Sequence, residues 1–330
     1  MAVTLRPVKR FRQCYHSLMR IASLLASATE IVYELGLGDQ LVAISHECDY
    51  PPDALRKPRL SRPRFDPQGM TSGEIDAAVR HAMAHFGSVY EIDAALLQRL
   101  QPDLVLSQAV CEVCAVPTSL AQTVADMMGK RPRVLSIDSH SISDIIDSIQ
   151  DVAAAAGVPE RGEMIAAAQR LRLDTVTARV AGAPRQRVLA VEWLDPPFVP
   201  GHWMPEMIEI AGGLDLFGTP GRPSQQLDWQ DLSGTDPDVL VIMPCGYGLD
   251  ASRADADRHA ERLIRIAPRA IETGRAFVVD GSAYFNRSGP RMATGVEILG
   301  ALLHPSRFPE YEIGGKAAAW NPEPVMTSRQ

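Results

Sequence analysis

The stretch RIASLLASATEIVYELGLGD, residues 20–39, contains the pattern that decides the fold. Its first part, Arg20–Leu25, is a short apolar run with the length of a buried strand. The part that follows predicts a helix over Ala28–Leu37, with a serine that can cap it and glycines that can end it. A second strand is predicted directly afterwards, at Gln40–Ser45. The order strand, helix, strand is typical of a parallel sheet whose strands are connected by crossover helices.

The same plan continues on both sides of a helical middle segment. Further strands are predicted at Leu104–Ser107, Arg133–Ile137, Arg187–Glu192, Val239–Met243 and Ala276–Val279, and further helices at Ile92–Leu100, Pro117–Met128, Pro205–Ala211, Ala251–Ile266 and Arg291–Leu302. Residues 141–182 are helical apart from a break at Gly157-Val158-Pro159. The sequence therefore predicts an α/β protein with two Rossmann-like lobes, whose parallel sheets are joined by a long mid-chain helix. A ligand cleft is expected between the lobes.

The length of 330 residues also favours two lobes, because a single core seldom grows this large. The expected units are an N-terminal arm (1–19), an N-terminal lobe (20–140), a linking helix (141–182), a C-terminal lobe (183–305) and a tail (306–330). The segment 50–71, rich in proline and arginine, is expected to be a long ordered loop. Residues 314–330 carry little structural signal, so we expect this part of the tail to be frayed.

Composition narrows the class of function and the location. The net charge of −7 argues against nucleic acid as a partner, since a nucleic-acid surface needs a basic patch. The apolar run 21–26 is too short for a secretory signal, and no stretch is apolar and long enough to span a membrane. Five cysteines are too few, and odd in number, for a disulfide framework. The cytoplasm is therefore the expected location, with the periplasm as the alternative, and a monomer is expected.

The residues that follow the predicted strands are the candidates for a binding site. In parallel α/β sheets, ligands bind beyond the carboxyl ends of the strands. Four of the five cysteines, two of the eight histidines and two of the four tryptophans fall at such ends. The predicted ligand-binding residues are His46, Glu47, Cys48, Tyr50, Glu192, Trp193, Asp195, Phe198, His202, Trp203, Tyr247 and Tyr284.

A metal site is a second interpretation of the same loops. The Cys111-x-x-Cys114 pair has the spacing of half a zinc site or of a redox pair. The candidate metal ligands, with zinc as the metal, are Cys48, Cys111, Cys114, Cys245, His46 and His202. Each also has an ordinary structural interpretation, because cysteine is often a small buried hydrophobe and a loop histidine is often simply hydrogen-bonded.

Catalytic signatures do not stand out. The chain contains no G-x-S-x-G, no H-E-x-x-H and no dinucleotide-binding glycine pattern after a strand. We therefore expect a protein that is not an enzyme. The alternative is a cytoplasmic metal-binding protein, or an enzyme that uses Cys48 beside His46 as a nucleophile or a metal held in the cleft.

The quoted stretch also resembles a known family. The A-T-E helix start and the L-G-L-G-D turn within residues 20–39, together with LVAISHECDYP (41–51), LQPDLVL (100–106) and DPDVLVI (236–242), are similar to helical-backbone, or class III, periplasmic binding proteins. The likeness is greatest to the vitamin B12 (cobalamin)-binding branch of ABC transporter substrate-binding proteins. The resemblance implies a corrinoid or another metal chelate as ligand, and an ABC transporter permease as partner.

Overall fold

The computed structural model describes residues 19–109 and 116–322. The predicted metal ligands Cys111 and Cys114 lie outside these ranges. The elements of the first lobe are, in chain order, β1 (Ile21–Ser23), α1 (Ala26–Glu34), β2 (Leu41–Ala43), β3 (Ser61–Pro63), α2 (Ser72–Phe86), β4 (Tyr90–Ile92), α3 (Ala94–Leu100), β5 (Leu104–Ser107), α4 (Thr118–Asp126) and β6 (Arg133–Ser136).

The remaining elements form the connection between the lobes and the second lobe. They are α5 (Ile142–Ala155), α6 (Pro159–Val180), β7 (Gln186–Val191), β8 (Trp193–Leu194), β9 (Pro197–Val199), α7 (Met204–Ile210), β10 (Gly213–Asp215), β11 (Gln225–Gln226), β12 (Val239–Ile242), α8 (Leu249–Arg258), α9 (Ala260–Ile266), α10 (Pro268–Glu272), β13 (Ala276–Val279), α11 (Gly281–Tyr284), α12 (Met292–Leu303) and β14 (Ala317–Ala319).

Each lobe is built around its own sheet. The first sheet is parallel, with the strand order β2-β1-β5-β6. The second has the order β10-β7-β12-β13-β14 and is parallel except for its last strand. The central strands β5 and β12 are buried along their whole length, because helices cover both faces of each sheet. The predicted α/β class with two lobes is confirmed.

The connection between the lobes consists of two packed helices rather than one. The chain leaves α5 through Gly157, whose φ of +77° suits glycine, and re-enters a helix at Pro159. The first half of α5 packs with the core of the second lobe through Ile142 and Ile145. Its second half belongs to the core of the first lobe, through residues such as Ile149. Because one helix contributes to both cores, the lobes share a stiff support.

Two small antiparallel sheets and three helices, α2, α10 and α11, were not predicted. The segment expected to be a long loop contains β3, which pairs with β4. Helix α2 connects these two strands along the chain, and the sequence analysis assigned no structure to it. In the second lobe, β8, β9 and β11 form a three-stranded ribbon beside the main sheet. Both ribbons lie next to the strand-end loops, so they form part of the walls of the cleft.

The prediction of a frayed tail over residues 314–330 is wrong for residues 314–322. Strand β14 pairs antiparallel with β13 and forms the edge of the second sheet. Trp320 directly after it is 1% exposed, and its indole Nε1 donates to Asp257 Oδ1 at 2.8 Å. The sequence signal was weak because β14 consists of three alanines. The pairing of these alanines with β13 places Trp320 in the core, where burial of a large aromatic ring stabilises the fold.

We expect Trp320→Ala to lower the free energy of unfolding by about 3–5 kcal/mol, the usual cost of removing a buried aromatic side chain. Chemical denaturation followed by circular dichroism measures the change. Leu214→Ala is the control, because this side chain is 47% exposed and should change stability by less than about 0.5 kcal/mol. Equal effects of the two variants would contradict the structural role of the segment.

Candidate functional site

A buried carboxylate joins the two lobes beside the cleft. Glu30, on α1 of the first lobe, is 4% exposed. Arg291 of the second lobe donates to it from Nε at 2.9 Å and from Nη2 at 2.6 Å, and Arg287 donates from Nη1 at 3.3 Å. A carboxylate removed from water needs such partners, because an unpaired buried charge is very costly. The A-T-E motif of the first helix thus positions the carboxylate that holds the second lobe.

The loop that follows β2 adds a second carboxylate to this group. Asp49 accepts a hydrogen bond from Arg287 Nη2 at 3.0 Å, and Arg287 also donates to the backbone oxygen of Glu47 at 3.1 Å. Burial alone would raise the pKa of Asp49, but the hydrogen bond and the charge of Arg287 hold it below its ordinary value. Burial alone would lower the pKa of Arg287, but its carboxylate partners raise it. Both arginines are therefore charged and fully engaged.

His46 and Glu47 form the first-lobe wall of the cleft. His46 Nδ1 lies 2.8 Å from Ser61 Oγ, and its Nε2 lies 3.0 Å from Glu47 Oε1. The ring of His46 packs against Tyr90, with 4.8 Å between the ring centroids. The hydrogen bond from His46 lowers the pKa of Glu47 despite burial. The histidine is thereby oriented, and Glu47 remains a carboxylate.

The second-lobe wall carries another acid and a thiol. Glu192 and Cys245 follow the neighbouring strands β7 and β12, and the Cys245 amide donates to the Glu192 carbonyl at 3.0 Å. Burial raises the pKa of Glu192 to about 7, opposed by a hydrogen bond from Ser224. Burial, followed by the charges of Glu192 and Glu47, raises the pKa of Cys245 to about 12. Cys245 is therefore a neutral thiol, and it lies close enough to the first-lobe wall for the charge of Glu47 to act on it.

The cleft narrows to a cavity that both lobes line. Its volume is 340 Å³, and its lining residues are Asp49, Tyr50, Gly246, Gly248, Asp280, Ser282, Ala283 and Arg291. Tyr50 is 46% exposed, and its ring lies against the Arg291 guanidinium, 4.4 Å from the ring centroid. Tyr284 packs against the same guanidinium at 5.6 Å. The cavity thus offers one half-exposed aromatic face, several carboxylates and an arginine whose charge is already paired.

The structure brings part of the predicted set together. His46, Glu47, Tyr50, Glu192 and Tyr284 lie in or beside the cleft walls described above. Trp193 and Tyr247 pack against each other at the second-lobe edge, with their ring centroids 5.4 Å apart. These positions agree with the rule that ligands bind beyond strand ends.

Several predicted residues have other positions. Cys48 is 1% exposed in the first-lobe core, where its Sγ lies 3.0 Å from Thr29 Oγ1. Burial raises the pKa of its thiol, which argues against a nucleophile or an exposed metal ligand there. Trp203 is 9% exposed in the second-lobe core and donates from Nε1 to the Phe285 carbonyl at 2.9 Å. Cys48 and Trp203 were predicted because of their residue type and their position after a strand. Neither property shows whether a side chain points into the core or into the cleft.

Of the predicted ligand-binding residues, Tyr50 alone lines the cavity, and Phe198, His202 and Asp195 make their contacts elsewhere. Phe198 is paired with Trp193 in the β8–β9 ribbon. The ring of His202 packs against His140, with a centroid separation of 5.5 Å. Asp195 lies beside Gly73 of α2, as a β-carbon built at Gly73 would come 2.8 Å from its Oδ2.

The metal interpretation gains no support from the described residues. Within residues 19–109 and 116–322, no group of three or more His, Cys, Asp or Glu side chains is arranged to hold a metal ion. Cys48 and Cys245 are free thiols. The remaining part of the hypothesis, Cys111 and Cys114, lies outside the described residues.

Sequence reasoning missed the residues that join the lobes, Glu30, Asp49, Arg287 and Arg291, and the cavity-lining residues Asp280 and Ser282. One signal was available, because Glu30 stands within the apolar run of the first helix, where a charge requires a partner. The identity of that partner could not be found, since Arg291 lies 261 residues further along the chain.

Over the part of the chain that the structure describes, no helix combines the length and the apolar character needed to cross a membrane.

Two lobes with separate sheets, a stiff connection and a cleft at the strand ends define a two-lobed solute-binding protein. The chain belongs to the periplasmic binding protein family, whose model matches residues 21–276. It is 25% identical over 284 residues to a vitamin B12-binding protein of Vibrio cholerae, covering 84% of this chain and 86% of the relative. It is 23% identical over 299 residues to the uncharacterized ABC transporter substrate-binding lipoprotein YvrC of Bacillus subtilis, covering 88% of this chain and 82% of the relative.

Among solved structures, the periplasmic heme-binding protein RhuT of Roseiflexus sp. RS-1 is similar in fold. The TM-score is 0.64 at 21% identity, with 88% of this chain and 99% of the other covered. These relatives are binding proteins, in agreement with the expectation that the chain is not an enzyme.

The expectation of a cytoplasmic location is wrong. The family is that of periplasmic binding proteins, and one of the relatives is a substrate-binding lipoprotein of an ABC transporter. The inference from cysteine number failed because a buried thiol such as that of Cys48 is shielded from oxidants. An unpaired cysteine therefore does not require a reducing compartment.

We expect Glu30→Gln to lower the free energy of unfolding by about 3 kcal/mol, because it removes a buried carboxylate and leaves two partly buried arginines without their shared counter-charge. Chemical denaturation measures this. The matched control is Glu91→Gln, which removes a carboxylate that also pairs with two arginines, Arg62 and Arg64, but at the surface. Its cost should stay below about 1 kcal/mol. A similar cost for both variants would show that the buried group does not fix the lobes.

The raised pKa of Glu192 predicts a pH-dependent stability. The folded protein holds this proton up to a pH of about 7, whereas the ordinary value is 4.5, so stability falls as the pH rises from 4.5 to 7. Glu192→Gln removes the titration. We expect the variant and the original protein to be equally stable at pH 4, and the variant to be more stable by about 3 kcal/mol at pH 8. If the difference in stability between the two proteins did not change with pH, burial of the Glu192 carboxylate would be ruled out as the cause of that difference.

Proposed function

We propose that this chain is the substrate-binding component of an ABC transporter, that it works outside the cytoplasmic membrane, and that its cleft binds a corrinoid. The main support is the charge of the cleft. Its arginines, Arg287 and Arg291, are neutralised by Glu30 and Asp49. The cleft therefore offers a ligand carboxylates and neutral polar groups rather than a free positive charge.

This arrangement favours an amide-fringed macrocycle over one with carboxylates. A corrinoid carries carboxamide side chains, which both donate and accept hydrogen bonds. Glu47 and Asp49 have lowered pKa values and can accept from amide N–H groups. Glu192, with a pKa of about 7, is partly protonated at neutral pH and can donate to an amide carbonyl. The propionates of a heme would instead meet carboxylates of the same sign.

The half-exposed ring of Tyr50 supports a flat ligand. Its contact with the Arg291 guanidinium shows that the ring packs well against a planar, delocalised group. The part of the Tyr50 ring that Arg291 does not cover is open to a macrocycle placed in the cleft. The names of the relatives, which include a vitamin B12-binding protein and a heme-binding protein, agree with a tetrapyrrole-sized ligand.

Titration with cyanocobalamin, dicyanocobinamide and hemin, followed by visible absorbance and calorimetry, tests the proposal. We expect saturable binding of a corrinoid with one site per chain, and weaker or no binding of hemin. Tyr50→Ala should weaken corrinoid binding about tenfold through loss of the aromatic contact, whereas Tyr50→Phe should retain it. Tight binding of hemin without corrinoid binding would overturn the assignment of the ligand, and absence of binding for all three would overturn the class of ligand.

A further inference from the structure

We propose that helix α2 is a lid over the cleft, held closed by a contact between Ser72 and Asp255 of the opposite lobe. This inference rests on the proposed function, because it describes how a ligand reaches the same cleft. The cavity of 340 Å³ is near the lower limit for small-molecule sites. A corrin macrocycle with its side chains requires more room, so part of the wall must move when the ligand enters.

Helix α2 is weakly packed for its length. Of its 15 residues, only Ser72 and Ala82 are buried. Few buried apolar contacts mean a low local stability. The helix is nevertheless well formed at its start, where Thr71 and Glu74 make a capping box. It can therefore move as one body without losing its helical structure.

A glycine on each side of α2 can act as a hinge. Gly69 has a φ of +80° and Gly87 a φ of +66°, and both have open space where a side chain would lie. Glycine adopts such backbone angles readily and changes them at low cost. The helix is thus joined to the first lobe by two flexible points, which is the arrangement expected of a lid.

The start of α2 contacts the second lobe directly. Ser72 Oγ donates to Asp255 Oδ1 at 3.1 Å, and both residues are 0% exposed. Gly73 packs so closely against Asp195 that a β-carbon would come 2.8 Å from its Oδ2. Further along, Arg80 Nη2 donates to Gln226 Oε1 at 3.0 Å. These contacts close the cleft on the side of the β8–β9–β11 ribbon.

The hydrogen bond between Ser72 and Asp255 can be broken at low cost. Asp255 Oδ2 is buried and has no hydrogen-bond partner among the described residues. Opening would expose this oxygen to water, and its hydration would offset part of the lost hydrogen bond. The closed state is therefore favoured only modestly.

Both ends of the lid are connected to the proposed ligand site. Asp195, beside the start of α2, accepts a hydrogen bond from Trp193 Nε1 at its backbone oxygen, at 3.1 Å. Shortly beyond Gly87, Tyr90 packs against His46. A ligand that displaces either ring would change the position of the lid, and the lid in turn controls access to these rings.

Hydrogen–deuterium exchange of the full chain tests the lid without any ligand. In Ser72→Ala, we expect amides of residues 72–86 to exchange about tenfold faster, the change expected for loss of one hydrogen bond to a carboxylate, while β1 and β5 are unaffected. Ser119→Ala is the matched control, because this serine is exposed in the first turn of α4. Unchanged exchange in Ser72→Ala would overturn the lid.

Stopped-flow absorbance with cyanocobalamin as the probe tests the role in binding. The association rate should rise in Ser72→Ala by a factor similar to the increase in exchange, and it should stay unchanged in Ser119→Ala. If exchange became faster but the association rate did not change, α2 would not control the access of the ligand to the cleft. Faster exchange in a protein that binds no tetrapyrrole would contradict the proposed function while leaving the mobility of α2 established. Asp255→Leu, which has a similar size but no oxygen to accept the hydrogen bond of Ser72, repeats the test from the other lobe.

Discussion

The buried contact of Glu30 with Arg287 and Arg291 is the constraint on which the rest of the cleft depends. A carboxylate that is 4% exposed must keep its cationic partners, because neither charge can return to water while the lobes are packed. The loop before α12 is thereby fixed against α1. This places Asp49 and Tyr50 opposite Asp280 and Ser282, so the cavity lies where it does because these chain segments are held together.

The same contact determines the chemistry that the cleft presents. Arginine is the usual residue for binding carboxylates and phosphates, since its planar fork matches their geometry. Here the two arginines use that capacity on Glu30 and Asp49. What remains for a ligand is an aromatic face, carboxylates and the partly protonated Glu192. The stability of the interface and the selectivity that we propose for uncharged polar groups therefore have one physical origin.

The sequence predicted the framework well and the joint between the lobes poorly, for a physical reason. Strands β5 and β13 were predicted to the residue, because short apolar runs between polar segments define buried parallel strands. The strand-end rule then located His46, Glu47 and Glu192. It could not separate Trp203, which packs inward, from residues that face the cleft, because both kinds follow a strand. The pairing of Glu30 with Arg291 spans 261 residues, and no local pattern records it.

The two sides of the cleft are held by interactions of different strength, and this difference locates the motion. On one side, charged groups with several hydrogen bonds each join α1 to the loop before α12, while α5 contributes to both cores. On the other side, α2 is connected to the second lobe by one hydrogen bond each from Ser72 and Arg80 and by the close packing of Gly73 against Asp195. A rigid-body separation of the lobes would break the stronger set, whereas displacement of α2 breaks only the weaker one. Access to the cleft is therefore expected through movement of a single helix, with the relative orientation of the lobes preserved.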